Sequence, residues 1–196
     1  RVKKIVEEAK KIGIICKESS TTTLDKMVEN LNTIAKDHRG IVLEFLGNEN
    51  SYKNIIDLDD FLISKKDDVS KSSSVVMILD SVTDPHNVGA IMRSCDQFGV
   101  DLLVLPERHS AKDGEVVARA SSGAVSWIKT SIVTNLNRCV EKLKENGYWI
   151  YGSDAGGSNC SNAKLTGKIC IIMGSEGKGI SRLLQENCDG ILSIPT

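Results

Sequence analysis

From Ser74 onward the sequence repeats one pattern: an apolar run, a loop, a stretch of helical period, then another apolar run. SVVMILD (74–80) is continuously apolar, as a strand covered on both faces must be, whereas a strand with one wet face alternates. A helix is expected at about 88–98, followed by the strand DLLVLP (101–106), a helix at about 113–121 and a strand near 125–133. The helix NLNRCVEKLKENG (135–147), the strands YWIYGSD (148–154) and KICIIMG (168–174), a helix at about 179–187 and the strand GILSIP (190–195) complete the series. Strands that alternate with helices are joined by crossovers, so the pattern predicts an α/β fold: a mostly parallel sheet with helices on both faces. Ligands of such sheets sit beyond the carboxyl ends of the strands, which directs attention to the loops that follow the apolar runs.

The chain before Ser74 differs in kind. Residues 1–47 read as helix (1–12), brief strand (14–16), helix (about 22–36, capped by the Ser/Thr cluster before Leu24) and a turn and strand in HRGIVLEFLG. This segment carries nine basic and seven acidic residues and looks like the latter part of a small α/β unit. Residues 48–73 are polar and weakly periodic, with one apolar cluster at Ile55, Ile56, Leu58, Phe61 and Leu62. They read as a connector with a short helix or docking turn, and a domain boundary is expected inside them.

The 196 residues have a formal charge of −1, so no whole-chain basic field advertises a polyanion, and any such partner must be met by a local patch. The six cysteines form no C-x-x-C pair, which leaves no zinc pattern, and they are expected to be buried or neutral thiols in a reducing cytosol. No apolar run approaches the roughly 20 residues of a membrane span.

Two loops carry the chemistry. Asp80, Asp84-Pro85-His86-Asn87, Gly89 and Arg93 follow the first strand. Here Pro85 stiffens the loop, Asn87 is a plausible N-cap, Gly89 allows close backbone approach, and Arg93 lies under two helical turns from Asn87. The second loop is Gly174-Ser175-Glu176-Gly177-Lys178-Gly179, again after an apolar strand. It matches neither G-x-G-x-x-G nor G-x-x-x-x-G-K-[ST], and Glu176 would set negative charge where phosphates lie. A backbone-lined pocket for a neutral or cationic ligand, with an acidic side chain beside it, fits better.

Taken together, LDSVTDPHNVGAIMRSC (79–95) and IIMGSEGKGIS (171–181) resemble the first two motifs of the SpoU family of RNA 2′-O-ribose methyltransferases, within the knotted SPOUT class. Leu192-Ser193-Ile194-Pro195 is similar to the opening of the third motif, and the resemblance covers residues 74–196. LDKM (24–27) and HRGIVLE (38–44) resemble the later half of the ribosomal-protein-like RNA-binding domain that precedes many members. The resemblance implies a C-terminal trefoil knot, S-adenosylmethionine as cofactor, and a homodimer through the knotted domain. It also implies that Gly174 and Ile194, with Ser175 and Gly177, line the cofactor pocket. Glu176 would stand at the catalytic edge, Asn87 near the reacting groups and Arg93 at the ribose hydroxyl. His38, Arg39 and Arg93 become the expected RNA contacts. The third motif should continue past Pro195, so residues 74–196 are read as a C-terminally incomplete methyltransferase domain, 1–47 as a partial substrate-binding domain and 48–73 as the linker.

An arginine is a poor free base, because guanidinium keeps its proton below about pH 12. Arg93 is therefore expected to orient the hydroxyl and adjacent phosphate. The implied substrate is large-subunit ribosomal RNA, favoured over transfer RNA by the N-terminal segment, and the implied location is the cytoplasm. Two other readings compete. An RNA-binding module without catalysis would take up no S-adenosylmethionine, and a nucleotide-binding oxidoreductase or NTPase would need the phosphate fingerprints that are missing. Trp127 and Trp149 are expected in or near the core. Arg108 and His109 read as a solvated loop, and Ser121-Ser122-Gly123 as a turn.

Overall fold

The computed structural model describes residues 2–31, 36–44, 54–67, 73–111 and 114–194. By its contacts the chain divides into two units, Arg1–Ser51 and Tyr52–Thr196.

In the first unit, α1 (Val2–Lys11) and α2 (Thr21–Met27) form. Ser20 caps α2, its side chain accepting from the Thr23 amide, which satisfies one of the donors that a helix start leaves free. The expected strand at 14–16 does not form: these residues have no ladder partner among the described residues, and without one a strand gains no hydrogen bonds. The expected helix at 22–36 stops at Met27 with Val28 as its C-cap, while 32–35 and 45–47 lie outside the described residues.

The second unit is built on a six-stranded parallel sheet. Its strands are β1 (Ser74–Asp80), β2 (Leu102–Pro106), β3 (Thr130–Val133), β4 (Trp149–Asn159), β5 (Lys168–Gly174) and β6 (Gly190–Ser193), in the order β3-β2-β1-β5-β4-β6. Successive side chains of a strand point to opposite faces, and the core divides accordingly. Val76, Ile78, Leu102, Val104, Ile150 and Ile172 face one layer, which holds α3 (Leu58–Asp67), α6 (Leu136–Glu145) and α7 (Arg182–Glu186). Leu79 and Leu103 face the other, where α4 (Pro85–Gln97) and α5 (Gly114–Ala120) supply Val88, Met92, Cys95 and Val117. Helices thus cover both faces, as the strand and helix alternation requires.

The apolar cluster of the connector is a docked helix, with Leu58, Phe61 and Leu62 of α3 buried in the first layer. Just before it, the Thr130 amide donates to Asn54 O (2.8 Å) and the Ile56 amide donates to Thr130 O (2.9 Å), extending the sheet beyond β3. The Asn54 side chain donates to Val125 O (2.7 Å) and Ile128 O (2.9 Å). That clasp explains why the expected strand near 125–133 begins only at Thr130: residues Ala124–Ser126 form a 3-10 turn, and Asn54 rather than a neighbouring strand takes the carbonyls of Val125 in it and of Ile128 after it.

Neither tryptophan lies in the core. Trp127 follows the 3-10 turn and is 76% exposed, and Trp149, first in β4, is 59% exposed. Trp149 opens β4, and Trp127 lies three residues before β3. The cysteines are free thiols. Burial pushes Cys95 up to about 11 and Cys139 up to about 12, so both are neutral thiols at physiological pH.

Candidate active site

The strand order reverses at β1, which has β2 on one side and β5 on the other, so the chain leaves the carboxyl ends of these neighbours in different directions and opens a crevice between them. Both sequence motifs sit there. Asp80 ends β1 in register with Gly174, the end of β5.

After β1 the chain turns at Ser81, whose φ of 58° is left-handed, and enters α4. The cap is Asp84, not Asn87 as the sequence suggests: the Asp84 side chain accepts from the His86 amide (2.9 Å) and Pro85 occupies the first turn. Proline has no amide to satisfy and a backbone angle suited to a helix start, so the helix begins three residues early. Asn87 and Arg93 both lie on the exposed side of α4, opposite the buried Val88, Met92 and Cys95. Arg93 is eight residues beyond Pro85, about 12 Å along the helix.

The loop after β5 closes on itself. The Ser175 amide donates to Gly179 O (3.1 Å) and the Gly179 amide donates to Ser175 O (2.9 Å), leaving Glu176, Gly177 and Lys178 as an exposed tip. This closure delays α7 until Arg182, against an expected start near 179. Gly174 is required by close approach, since a Cβ there would lie 2.0 Å from Gly179 C and 2.3 Å from Ile180 N. Gly179 has φ 65°, which disfavours any side chain.

Two features went unread in the sequence. β4 bulges between Ser153 and Ser158, and its Asp154 carboxylate lies beside the loop, with Oδ2 3.0 Å from the position a Gly179 Cβ would take. Asp154 Oδ1 accepts from the Gly156 amide (2.9 Å), which fixes the bulge. The only sequence signal was three small residues, Ala155-Gly156-Gly157, directly after an apolar strand. The second feature is a bond from the Ser181 amide to Asp80 Oδ2 (2.7 Å), which ties the end of the glycine loop to the end of β1.

The structure therefore gathers Gly174, Ser175, Glu176 and Gly177 into one loop next to the carboxyl end of β1. Ile194 lies just past β6 and is 80% exposed. Arg93 and Glu176 make no hydrogen bond or ion pair within the described residues. In the first unit the His38 ring is held in its own turn, with Nδ1 accepting from the Gly40 amide (2.9 Å) and Nε2 3.2 Å from Asp25 Oδ1. Arg39 next to it is exposed and pairs with Asp37 (3.0 Å).

A loop of bare backbone with the carboxylates of Asp154 and Glu176 close by suits a ligand that carries positive charge and needs near contact with peptide groups. S-adenosylmethionine, with its sulfonium, has that chemistry. The family model described as the SpoU rRNA methylase family matches residues 74–196. Over its whole length the chain is 37% identical to an uncharacterized tRNA/rRNA methyltransferase of Borreliella burgdorferi and covers 84% of that protein. It is also 35% identical over its whole length to the 23S rRNA (guanosine-2′-O-)-methyltransferase RlmB of Vibrio vulnificus, covering 74% of it. Other relatives are matched over about half of their length. Among solved structures, the SpoU methyltransferase AviRb of Streptomyces viridochromogenes, in complex with the cofactor AdoMet, aligns with a TM-score of 0.58 at 26% identity, over 64% of this chain and 50% of AviRb.

The chain belongs to the SpoU rRNA methylase family. It is an RNA 2′-O-ribose methyltransferase that uses S-adenosylmethionine.

Proposed function

We propose that the chain methylates a ribose 2′-hydroxyl of large-subunit ribosomal RNA, with residues 74–196 carrying the chemistry and residues 1–47 helping to hold the RNA. What supports the reading is the crevice where the strand order reverses, which brings an acid-flanked backbone cradle after β5 next to the chain that leads from β1 into α4. Similarity over the whole of this chain to a 23S ribosomal RNA enzyme, 74% of which it covers, favours ribosomal over transfer RNA.

When bound, S-adenosylmethionine supplies an electrophilic methyl group whose transfer leaves a neutral thioether. The chain then has to align an in-line attack by the hydroxyl, whose proton is released to solvent as the C–O bond forms and the C–S bond breaks, and to stabilise charge as it develops. Gly174, Ser175 and Gly177 hold the cofactor through the backbone, with Ile194 closing one wall and Glu176 at the catalytic edge. Arg93 orients the hydroxyl and its neighbouring phosphate and stabilises the developing alkoxide, while Asn87 fixes the groups beside it. Arg39 reaches RNA phosphate from the first unit, and His38 shapes the turn that presents it. The domain works as a homodimer closed by a C-terminal trefoil knot. No described helix is long and apolar enough to cross a membrane, and the enzyme meets its RNA in the cytoplasm.

The test is incubation with labelled S-adenosylmethionine and unmodified ribosomal and transfer RNA, followed by mapping of alkali-resistant linkages. Label at one linkage of large-subunit RNA is expected. Label in transfer RNA alone would replace the substrate, and label in neither would overturn the assignment.

A further inference from the structure

We propose that Asp80 is a positioning residue that holds the cofactor cradle in its binding shape before any ligand arrives, by accepting the Ser181 amide where the loop enters α7. The proposal rests on the methyltransferase reading above and adds to it a residue outside the pocket.

Among the described residues Asp80 is the one Asp, Glu, Lys, Arg or His that is buried, at 6% exposure. A carboxylate is costly to bury unless its oxygens are hydrogen-bonded, and both are: Oδ2 accepts from the Ser181 amide (2.7 Å) and Oδ1 from Ser81 Oγ (3.1 Å). Ser181 is the N-cap residue of α7, yet its side chain makes no capping bond. The free amide at the helix start is answered from another strand, 101 residues away in sequence.

The consequence lies in what Ser181 adjoins. Gly179 is fixed by its backbone pairing with Ser175, Ile180 is buried in the core, and Ser181 is held by Asp80. The far side of the cradle is therefore pinned at three successive residues. Asp80 itself is anchored by register with Gly174, so one carboxylate spans the base of the loop. A binding loop held in this way does not have to be ordered by its ligand, and the saving appears as affinity. The left-handed backbone of Ser81 belongs to the same arrangement, since it turns the Ser81 hydroxyl onto the carboxylate.

Three variants of the full chain separate this role from general stability. Asp80→Ala removes the acceptor. Ser181→Pro removes only the donor, at a residue whose φ of −59° suits proline. Asp80→Asn keeps an acceptor oxygen for the Ser181 amide and a donor for Ser81 Oγ. We expect Asp80→Ala and Ser181→Pro each to raise KM and Kd for S-adenosylmethionine about tenfold, the scale of one lost hydrogen bond to a charged group. The kcat at saturating cofactor should stay within about twofold and RNA affinity should not change. Asp80→Asn should bind nearly as the parent does. In cofactor-free protein, amide exchange at residues 175–180 should accelerate in the first two variants and not in the third. If Asp80→Ala fails to fold, Ser181→Pro carries the test, because it leaves the carboxylate in place. Unchanged cofactor affinity in Ser181→Pro, or a loss confined to kcat, would overturn the proposal. A parent chain that takes up no S-adenosylmethionine overturns the methyltransferase reading instead, and the exchange measurement, which needs no cofactor, still decides whether Asp80 pins the loop.

Discussion

At the amino edge of the sheet most polar groups are spent on one another, the buried Asn146 Oδ1 being left without a partner among the described residues. Asp101, just before β2, accepts from Lys65 of α3 (2.5 Å), the Ser74 hydroxyl (3.0 Å) and the Val75 amide (2.9 Å), and Tyr148 OH donates to Ser74 Oγ (2.9 Å). Burial alone would raise the Asp101 carboxyl, but these bonds outweigh it and hold the group below its ordinary value. Lys168 lies over the Tyr148 ring, 5.6 Å from its centroid. At the carboxyl edge, Glu176 and Lys178 stand exposed on a loop tip, and Arg93 is exposed on the helix that leads away. Polar groups already paired stabilise a fold and have nothing left to offer a ligand. Polar groups left to solvent contribute little to stability and remain available. Asp80 is the exception that links the two, a buried, fully bonded carboxylate at the functional edge.

The sharpest way to break this contrast is at Arg93. Arg93→Ala should lower turnover by about 100-fold or more if the guanidinium stabilises the developing alkoxide. Folding stability should move by no more than about 0.5 kcal/mol, because the side chain is exposed and alanine favours helix. Single-turnover kinetics and urea unfolding measure the two separately. Full turnover would remove Arg93 from the mechanism, and a marked loss of stability would show that the exposed edge also supports the fold.

The mirror experiment is Asp101→Asn. At neutral pH the variant should lose about 2 kcal/mol of stability, the scale of a charge-assisted bond, while kcat at saturating substrates is unchanged. The folded carboxyl titrates below its ordinary value of 3.8. Its contribution is therefore whole above about pH 4 and declines as the pH falls through the folded value. Parent and variant should converge in stability below that pH. A gap that persists in acid would mean that the network is not held by the charge.

Much of this arrangement was legible because its causes are local. Apolar runs such as 74–80 and 168–174 announce buried parallel strands, and glycines cluster where backbone must approach backbone, so both loops could be placed at one edge. What stayed hidden depends on distant partners. VSWIKTSIV (125–133) reads as one strand, yet its first part turns because Asn54, 71 and 74 residues away from Val125 and Ile128, takes their carbonyls. Asp80 was visible as part of a motif, but its bond to Ser181 spans 101 residues. Asp154 was invisible because the bulge that turns it toward Gly179 follows from the pairing of β4 with β6. Arg93 and Glu176 were expected at one reaction centre on resemblance, and within the described residues no bond joins them.

The smallest effect belongs to the residues that sequence reasoning misplaced most. A tryptophan packed in a core costs about 3–5 kcal/mol when truncated. Trp127 is 76% exposed at the amino edge and makes few of the contacts on which that figure rests. Trp127→Ser should therefore shift the urea midpoint by less than the equivalent of about 0.5 kcal/mol. It also lies at the opposite end of the sheet from the glycine loop, so affinity for S-adenosylmethionine should stay at the parent value. A loss of several kcal/mol would mean that the ring is covered in the folded protein and that the amino edge buries more than its polar network. A loss of cofactor affinity alone would be more disruptive, because the two edges would then be coupled through the sheet and the division between stabilising and available polar groups would fail.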